Sequence, residues 1–175
     1  YIGPDEAPHA NALTNDLDAI KLKANFFLGD HTITAGYERE MLDIFNIFVF
    51  GGNGRYQFNN ILDFQNRNAA SLAYSNAFTN VKTDGAAAFS YDVDSFYVQD
   101  EWQVSPDFKL QAGVRLDSWS SGDDPLLNAN FTSRYGFSNQ STLDGRDLFQ
   151  PRIGFNWTWR PETTIYGGWG LFGGG

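Results

Sequence analysis

From Lys109 to Asp117 the chain alternates without a break: Leu110, Ala112, Val114 and Leu116 are interleaved with Lys109, Gln111, Gly113, Arg115 and Asp117. A strict period of two gives an extended strand one greasy face and one wet face, and no helix can use it. The stretch Tyr97-Val-Gln-Asp-Glu-Trp102-Gln-Val reaches this strand across Ser105-Pro106-Asp107, a tight-turn sequence, so the two limbs are expected to form a hairpin. The wet face carries charges of both signs. A soluble sandwich more often shows small polar residues there, so a membrane barrel with a watery lumen competes with a soluble sheet.

Composition narrows the choice. A chain of 175 residues makes one domain or two small ones. Aromatic residues reach 17% while hydrophobic content is only 42%, and no run approaches the roughly 20 apolar residues of a membrane helix. Aromatic wealth without greasy runs suits a β-barrel. With no cysteine there is no disulfide framework and no thiolate metal site, which fits an outer membrane as well as cytosol. A net charge of −9 argues against a nucleic-acid partner, which would call for a basic stripe. The sequence opens at Tyr1 without Met or a signal-like segment and ends inside the strand-like run Tyr166 to Gly175. The expectation is a slice of a longer protein.

Along the chain, Asp16 to Leu28 reads as a strand, followed by a three-residue turn, Gly29-Asp30-His31, and a returning strand from Thr32 to about Phe50. In that second strand Arg39, Met41 and Asp43 fall on the nominally apolar face. Either a bulge shifts the register there or that part has left the membrane. Phe50 to Phe58 reads as a small ribbon folded at Gly52-Asn53-Gly54, and Asn59-Asn60 as the cap of a short helix with Ile61, Leu62 and Phe64 on its apolar side. Residues 67–89 read as loop. The hairpin Asp92 to Val104 and Phe108 to Ser118 follows, then a polar segment to Leu148. A strand from Phe149 to Trp159 turns at Arg160-Pro-Glu-Thr163 into a last strand, Thr164 to about Phe172. The six strands are joined alternately by short and long connections, as in outer-membrane barrels with tight periplasmic turns and long extracellular loops. On that rule the strands starting at Asp16, Asp92 and Phe149 run inward and the others outward. The expected fold class is all-β: an antiparallel up-and-down transmembrane β-barrel segment of about six strands.

Several pieces of the chain resemble one family. They are Gly36-Tyr-Glu, Asp43-Ile-Phe-Asn-Ile-Phe48, Tyr56-x-Phe58-x-x-Ile61-x-Asp63-Phe64, Tyr97-Val-Gln-Asp-Glu-Trp102, Gly113-Val-Arg-Leu-Asp117, Pro151-Arg-Ile-Gly-Phe155 and Tyr166-Gly-Gly-Trp-Gly-Leu-Phe172. In this order they resemble the TonB-dependent outer-membrane receptors, within them those with an Oar-like barrel, from about Asn25 onward. The resemblance implies a barrel of roughly 22 strands occluded by an N-terminal plug. Residues 1–175 then correspond to a partial barrel domain, with the plug and the remaining strands absent. It also implies a location in the cell outer membrane and contact with its lipid. The extracellular loops would capture a scarce small solute, peptide or oligosaccharide, and the TonB complex would act through the missing N-terminal part. A passive porin or a surface adhesion barrel is the alternative, and a soluble secreted β-sandwich used for binding is a third.

Particular residues then acquire expected roles. Tyr56, Phe58, Phe64, Tyr74 and Tyr135 are the ligand-binding candidates of the loops, where exposed rings can stack on a solute. Trp102, Trp157, Trp159 and Tyr97 are expected near the interfacial belts, the tryptophans close to the inner one. Glu38, Glu101, Arg115, Asp117 and Arg152 are expected to face the lumen. Asp100 shares parity with Phe96, Val98 and Trp102, so either that face is the lumen or a bulge intervenes. Asp123, Asp124, Asn128 and Asn130, and Asp144 with Asp147, offer oxygen ligands for Ca²⁺, but their spacing matches no EF-hand loop and the solvated-loop reading leaves no metal site. No cofactor is expected. His9 and His31 lack an obvious acid or base partner in the sequence, so no catalytic residues and no enzyme activity are expected. The glycine-rich ending lacks a phosphate-loop pattern.

Overall fold

The computed structural model describes Asp5 and residues 7–173. The elements in chain order are β1 (Asn11–Leu28), β2 (His31–Phe48), β3 (Arg55–Gln57), α1 (Ile61–Gln65), β4 (Ser71–Ala73), β5 (Ala86–Ser105), β6 (Phe108–Ser120), α2 (Ala129–Tyr135), β7 (Arg146–Arg160) and β8 (Thr163–Gly170). Six of the strands form one antiparallel up-and-down sheet in the order β1-β2-β5-β6-β7-β8, and β3 pairs with β4 alone. No helix among the described residues is long and apolar enough to cross a membrane, so any crossing is made by strands. The chain divides into two compact units, residues 1–16 with 43–89 and residues 17–42 with 90–175.

Short connections are two residues each: Gly29-Asp30, Pro106-Asp107 and Pro161-Glu162. His31, expected in the first turn, already opens β2. Gly29 takes φ +62°, a left-handed conformation that costs glycine nothing. The carbonyl of Asp30 accepts from the Gln103 amide at 2.8 Å and that of Asp107 from the Thr158 amide at 2.8 Å, so these two turns are laced to the next strand.

Register assigns the faces. On one side of β5 to β8 lie Phe96, Val98 and Trp102, then Leu110, Val114 and Leu116, then Phe149, Ile153, Phe155 and Trp157, then Ile165 and Trp169. On the other lie Ser95, Tyr97, Gln99 and Glu101, with Lys109, Gln111, Arg115, Asp117, Gln150, Arg152 and Asn156. The parity carries into β2 and β1. Tyr37 and Arg39 bond Asp94 on the apolar side, while Glu38 bonds Arg115 and Thr34 bonds Asn25 on the polar side. Among the described hydrophobic residues only Ile47 and Val49 are buried, whereas Ile153, Trp159 and Trp169 are at least 50% exposed. A soluble domain would bury this face against a second layer; a barrel wall covers it with lipid.

The apolar side is a band with sharp limits. Moving away from the short turns it ends at Asp18 on β1, Arg39 on β2, Asp94 on β5, Ser118 on β6 and Asp147 on β7. The band covers the ~9 to 11 residues that a tilted strand needs to cross the hydrocarbon. Because Tyr37 and Arg39 keep one parity, no bulge shifts the face there. Arg39, bonded to Asp92 and Asp94, lies beyond the band, which settles the alternative for β2.

Several strands run longer than the alternation indicated. β1 begins at Asn11, β5 at Ala86 and β7 at Arg146, rather than at Asp16, Asp92 and Phe149. The ladder continues where hydropathy no longer alternates, because beyond the lipid both faces meet water and the backbone pairing alone defines the strand. The Gly51–Gly54 turn exists, closed by a 2.8 Å bond, but Arg55–Gln57 pairs with Ser71–Ala73 across α1 and not with the Phe50 segment. Asn60 caps α1 as expected, its side chain accepting from the Asp63 amide at 2.9 Å. α2 lies within the long polar segment that follows β6. The last two glycines of the terminal run, residues 174 and 175, lie outside the described residues.

Tyr97 does not join the aromatic belt. It is on the polar side, its ring filling the space over Gly36, where any Cβ would collide with the Tyr97 Cζ and OH atoms. Trp102 and Trp157 lie on the apolar face next to the short turns, and Trp159, at the irregularity before the Pro161 turn, keeps its ring 6.5 Å from that of Trp157. In the complete protein, Gly36→Val is expected to lower unfolding stability by about 1–3 kcal/mol, as overpacking does. Gly154→Ala, whose Cβ meets nothing nearer than 3.6 Å, should leave denaturant midpoints unchanged. Tryptophan emission should be blue-shifted in bilayers and quenched by lipid-attached quenchers at headgroup depth; emission insensitive to them would remove Trp102, Trp157 and Trp159 from the interface.

Candidate functional site

The polar face carries a chain of charged and amide side chains that crosses the sheet. Lys21 on β1 lies 3.6 Å from Glu40 and 4.0 Å from Glu38 on β2. Glu38 accepts from Arg115 Nη1 at 3.1 Å, Arg115 Nε donates to Asp117 at 2.7 Å and its Nη2 to Ser95 Oγ at 2.8 Å. Gln150 on β7 donates to the other Asp117 oxygen at 2.5 Å and accepts from Arg152 at 3.2 Å. Nearer the turns, Glu101 accepts from Lys109 at 2.7 Å and from Gln111 at 2.8 Å. Strand alternation puts all these groups on one side, and they neutralise one another where the sheet shields them: Asp117 is 8% and Gln150 2% exposed. Glu38, Glu101, Arg115, Asp117 and Arg152 are therefore together on the wet side, as the sequence indicated.

Asp100 departs from both sequence alternatives. Its register with Ala112 lies in an unbroken stretch, so no bulge intervenes, and its neighbours Val98 and Trp102 face the apolar side. There its Oδ2 meets His31 Nδ1 at 2.7 Å, the imidazole stacking on Trp102 with ring centroids 5.1 Å apart, while its Oδ1 is buried without a hydrogen-bond partner among the described residues. His31 thus has the carboxylate partner that the sequence did not reveal, because the two residues meet only across the β2 and β5 pairing. His9 Nδ1 accepts from the Asn53 amide at 3.3 Å.

The loop candidates separate into small clusters. Phe58 and Phe64 meet edge to face with centroids 5.2 Å apart, which packs the start of α1 on its approach. Tyr56 stands opposite Leu72 in the β3 and β4 ribbon. The Tyr74 hydroxyl is fixed between Asn80 Oδ1 at 2.9 Å and Asn76 Nδ2 at 2.7 Å. Tyr135, in the other unit, joins Phe131 at 4.8 Å and Phe137 at 6.4 Å. Sequence reading missed Phe131 and Phe137. The signal was present: Asn128 caps α2 by accepting from the Phe131 amide at 3.1 Å, Phe131 and Tyr135 are four residues apart, and Gly136 ends the helix at φ +78°.

Three of the four acidic loop residues considered for Ca²⁺ are each engaged with a serine. Asp123 accepts from the Ser90 amide and hydroxyl at 2.7 and 2.9 Å, Asp144 from the Ser121 amide at 2.9 Å, and Asp147 from the Ser118 hydroxyl at 2.6 Å. Among the described residues no three His, Asp or Glu side chains gather in a metal-holding group.

Comparison with known families gives the sheet its context: the outer membrane beta barrel domain matches residues 6–175. The chain belongs to that family. The two-faced sheet is therefore the wall of an outer-membrane barrel, its apolar band against lipid and its polar face toward the lumen, and the soluble sandwich drops out. Among solved structures this barrel wall is similar to the ferric-catecholate import receptor Fiu from E. coli K12 in its closed form. The identity is 17% and the TM-score 0.49, over 89% of this chain and 23% of that one. The chain thus spans less than a quarter of that receptor's length. A search of curated proteins gave no match.

Arg115 is the centre of the lumenal chain, bonding three side chains while 26% exposed. Arg115→Gln in the complete barrel should cost about 1–3 kcal/mol, because Glu38 and Asp117 are left facing each other without their cation. Pairing it with Glu38→Gln should return part of the loss. Denaturant titration of both variants in detergent measures the coupling, and strict additivity would show that the bridge contributes nothing.

Proposed function

We propose that this barrel wall is part of a TonB-dependent receptor of the Oar-like type, which binds a scarce solute at its extracellular loops and imports it with TonB-coupled energy. The observation that carries the reading is that the long connections are built rather than slack. Residues 49–85 fold into a paired ribbon with a capped helix, and residues 121–145 enclose a second capped helix, both at the strand ends opposite the two-residue turns. Each displays a small group of rings, Phe58 with Phe64 and Phe131 with Tyr135 and Phe137. Ordered aromatic side chains offer large contact area at little entropic cost, which suits capture of a dilute ligand. The order of motifs from Gly36-Tyr-Glu to Tyr166-Gly-Gly-Trp supports the TonB-dependent class. The reading assigns transport to the protein and no catalysis to this chain, with the TonB complex acting on a plug beyond these residues.

The test is uptake by cells carrying the complete gene, with a panel of radiolabelled siderophores, cobalamin and oligosaccharides as probes. One probe should accumulate, and accumulation should vanish in a strain without TonB or after a protonophore. Tyr56→Ala, Phe64→Ala and Tyr135→Ala, made singly, should weaken its binding to whole cells, by about tenfold for a ring at the centre of the contact. Uptake that survives loss of both TonB and the proton gradient would make the barrel a passive pore instead.

A further inference from the structure

Among the described residues, Asp100 is the one acid inside the apolar band of β5 to β8, and it is incompletely served. Its Oδ2 meets His31 Nδ1 at 2.7 Å, its Oδ1 is enclosed without a hydrogen-bond partner, and no lysine or arginine pairs with it. Across the β6 ladder it stands opposite Ala112, which has no side-chain donor. Asp92 and Asp94, at the other end of the same strand, are by contrast both paired with Arg39. An ionisable group on the lipid side of a membrane protein is costly, and it is kept where it has a partner of its own.

The depth of the group is that of the inner headgroups. His31 is the first residue after the Gly29-Asp30 turn, and the Asp30 carbonyl accepts from the Gln103 amide at 2.8 Å, which sets that turn beside Trp102. The imidazole lies flat on the indole, with ring centroids 5.1 Å apart and planes 13° apart. The stack holds the imidazole, and through Nδ1 the carboxylate, in place before anything binds. More than a third of each side chain is open, 39% for His31 and 36% for Asp100. With Oδ1 enclosed, Oδ2 is the oxygen left for a further donor, and one bond from His31 does not exhaust its lone pairs.

We infer that His31, Asp100 and Trp102 form a headgroup site for a phospholipid with a primary ammonium, phosphatidylethanolamine, in the inner leaflet. An ethanolamine ammonium carries three N–H donors and one positive charge, the complement of a carboxylate short of both. A choline headgroup carries the charge without any N–H, so the site separates the two lipids although their phosphates are the same. The indole next to the carboxylate adds an aromatic surface that favours a cation. Such a site anchors the wall in its membrane and needs neither an imported solute nor TonB.

The probes are phosphatidylethanolamine, its N,N-dimethyl derivative and phosphatidylcholine with identical acyl chains, offered in equal amounts to the full-length barrel in detergent. Native mass spectrometry counts the lipids that each barrel retains. Wild type should favour phosphatidylethanolamine over phosphatidylcholine, with the dimethyl lipid between them, in the order of their N–H donors. Asp100→Asn, which keeps the shape and removes the charge, should cut that ratio about fivefold while the barrel keeps the heat-modifiable gel mobility of the folded state. Glu162→Gln, which removes the same charge from a neighbouring short turn, should leave the ratio unchanged. Equal retention of the three lipids by wild type, a ratio undiminished in folded Asp100→Asn, or an equal drop in Glu162→Gln would each overturn the site. The lipid series on wild type decides the matter even if Asp100→Asn does not fold.

Discussion

Everything in this sheet depends on backbone pairing that does not slip. Within a bilayer a peptide N–H or C=O without a partner costs several kcal/mol, so a strand that crosses must bond its neighbours continuously. The register from Asp92↔Ser120 to Gln103↔Lys109, continued by Phe108↔Trp157 to Trp119↔Arg146, meets that demand. Because side chains alternate, the same unbroken ladder sorts them: a slip of one residue would bring Arg115 and Asp117 to the lipid and Leu116 to the lumen. Fold, membrane face and lumenal chemistry follow from a single condition.

The lumenal network is a second-order consequence of that sorting. Once alternation has placed Lys21, Glu38, Arg115, Asp117 and Gln150 on one side, strand spacing sets their geometry: Lys21 meets Glu38 on the adjacent strand, Arg115 meets Asp117 two residues on in its own strand and reaches Glu38 across the intervening β5, and Gln150 reaches Asp117 from β7. On the lipid side the same proximity half satisfies Asp100: β2 brings His31 against its Oδ2 and Trp102 covers the imidazole, while Oδ1 stays buried without a partner among the described residues.

Legibility in the sequence followed the physics. The hairpin around Pro106, the alternation of short and long connections and the polarity of Glu38, Glu101, Arg115, Asp117 and Arg152 were readable, because within the lipid-crossing part each side chain announces its side. Strand ends were not, since outside the lipid both faces are wet and hydropathy carries no phase, as at Asn11 and Ala86. Nor were pairings between residues distant in sequence: the partner of Arg55–Gln57, the His31 and Asp100 contact and the place of Tyr97 depend on which strands become neighbours. The loop rings Tyr56, Phe58, Phe64, Tyr74 and Tyr135 could be picked out as aromatic and exposed, but their grouping required the folded loops.

The slot at Gly36 bears on the order of assembly. β1 with β2, and β5 with β6, are hairpins of immediate neighbours in the chain and can close early, whereas joining β2 to β5 must first gather in the long connection between them. At that late seam a ring from one hairpin meets a residue with no side chain on the other. Displacement by one residue would turn Tyr97 to the opposite face, and displacement by two would bring its ring toward Thr34 or Glu38, where a side chain already stands. The ring of Tyr97 and the bare backbone of Gly36 thus fit one another in a single register, so the close approach at this seam marks the one alignment in which the two hairpins meet without a side-chain clash.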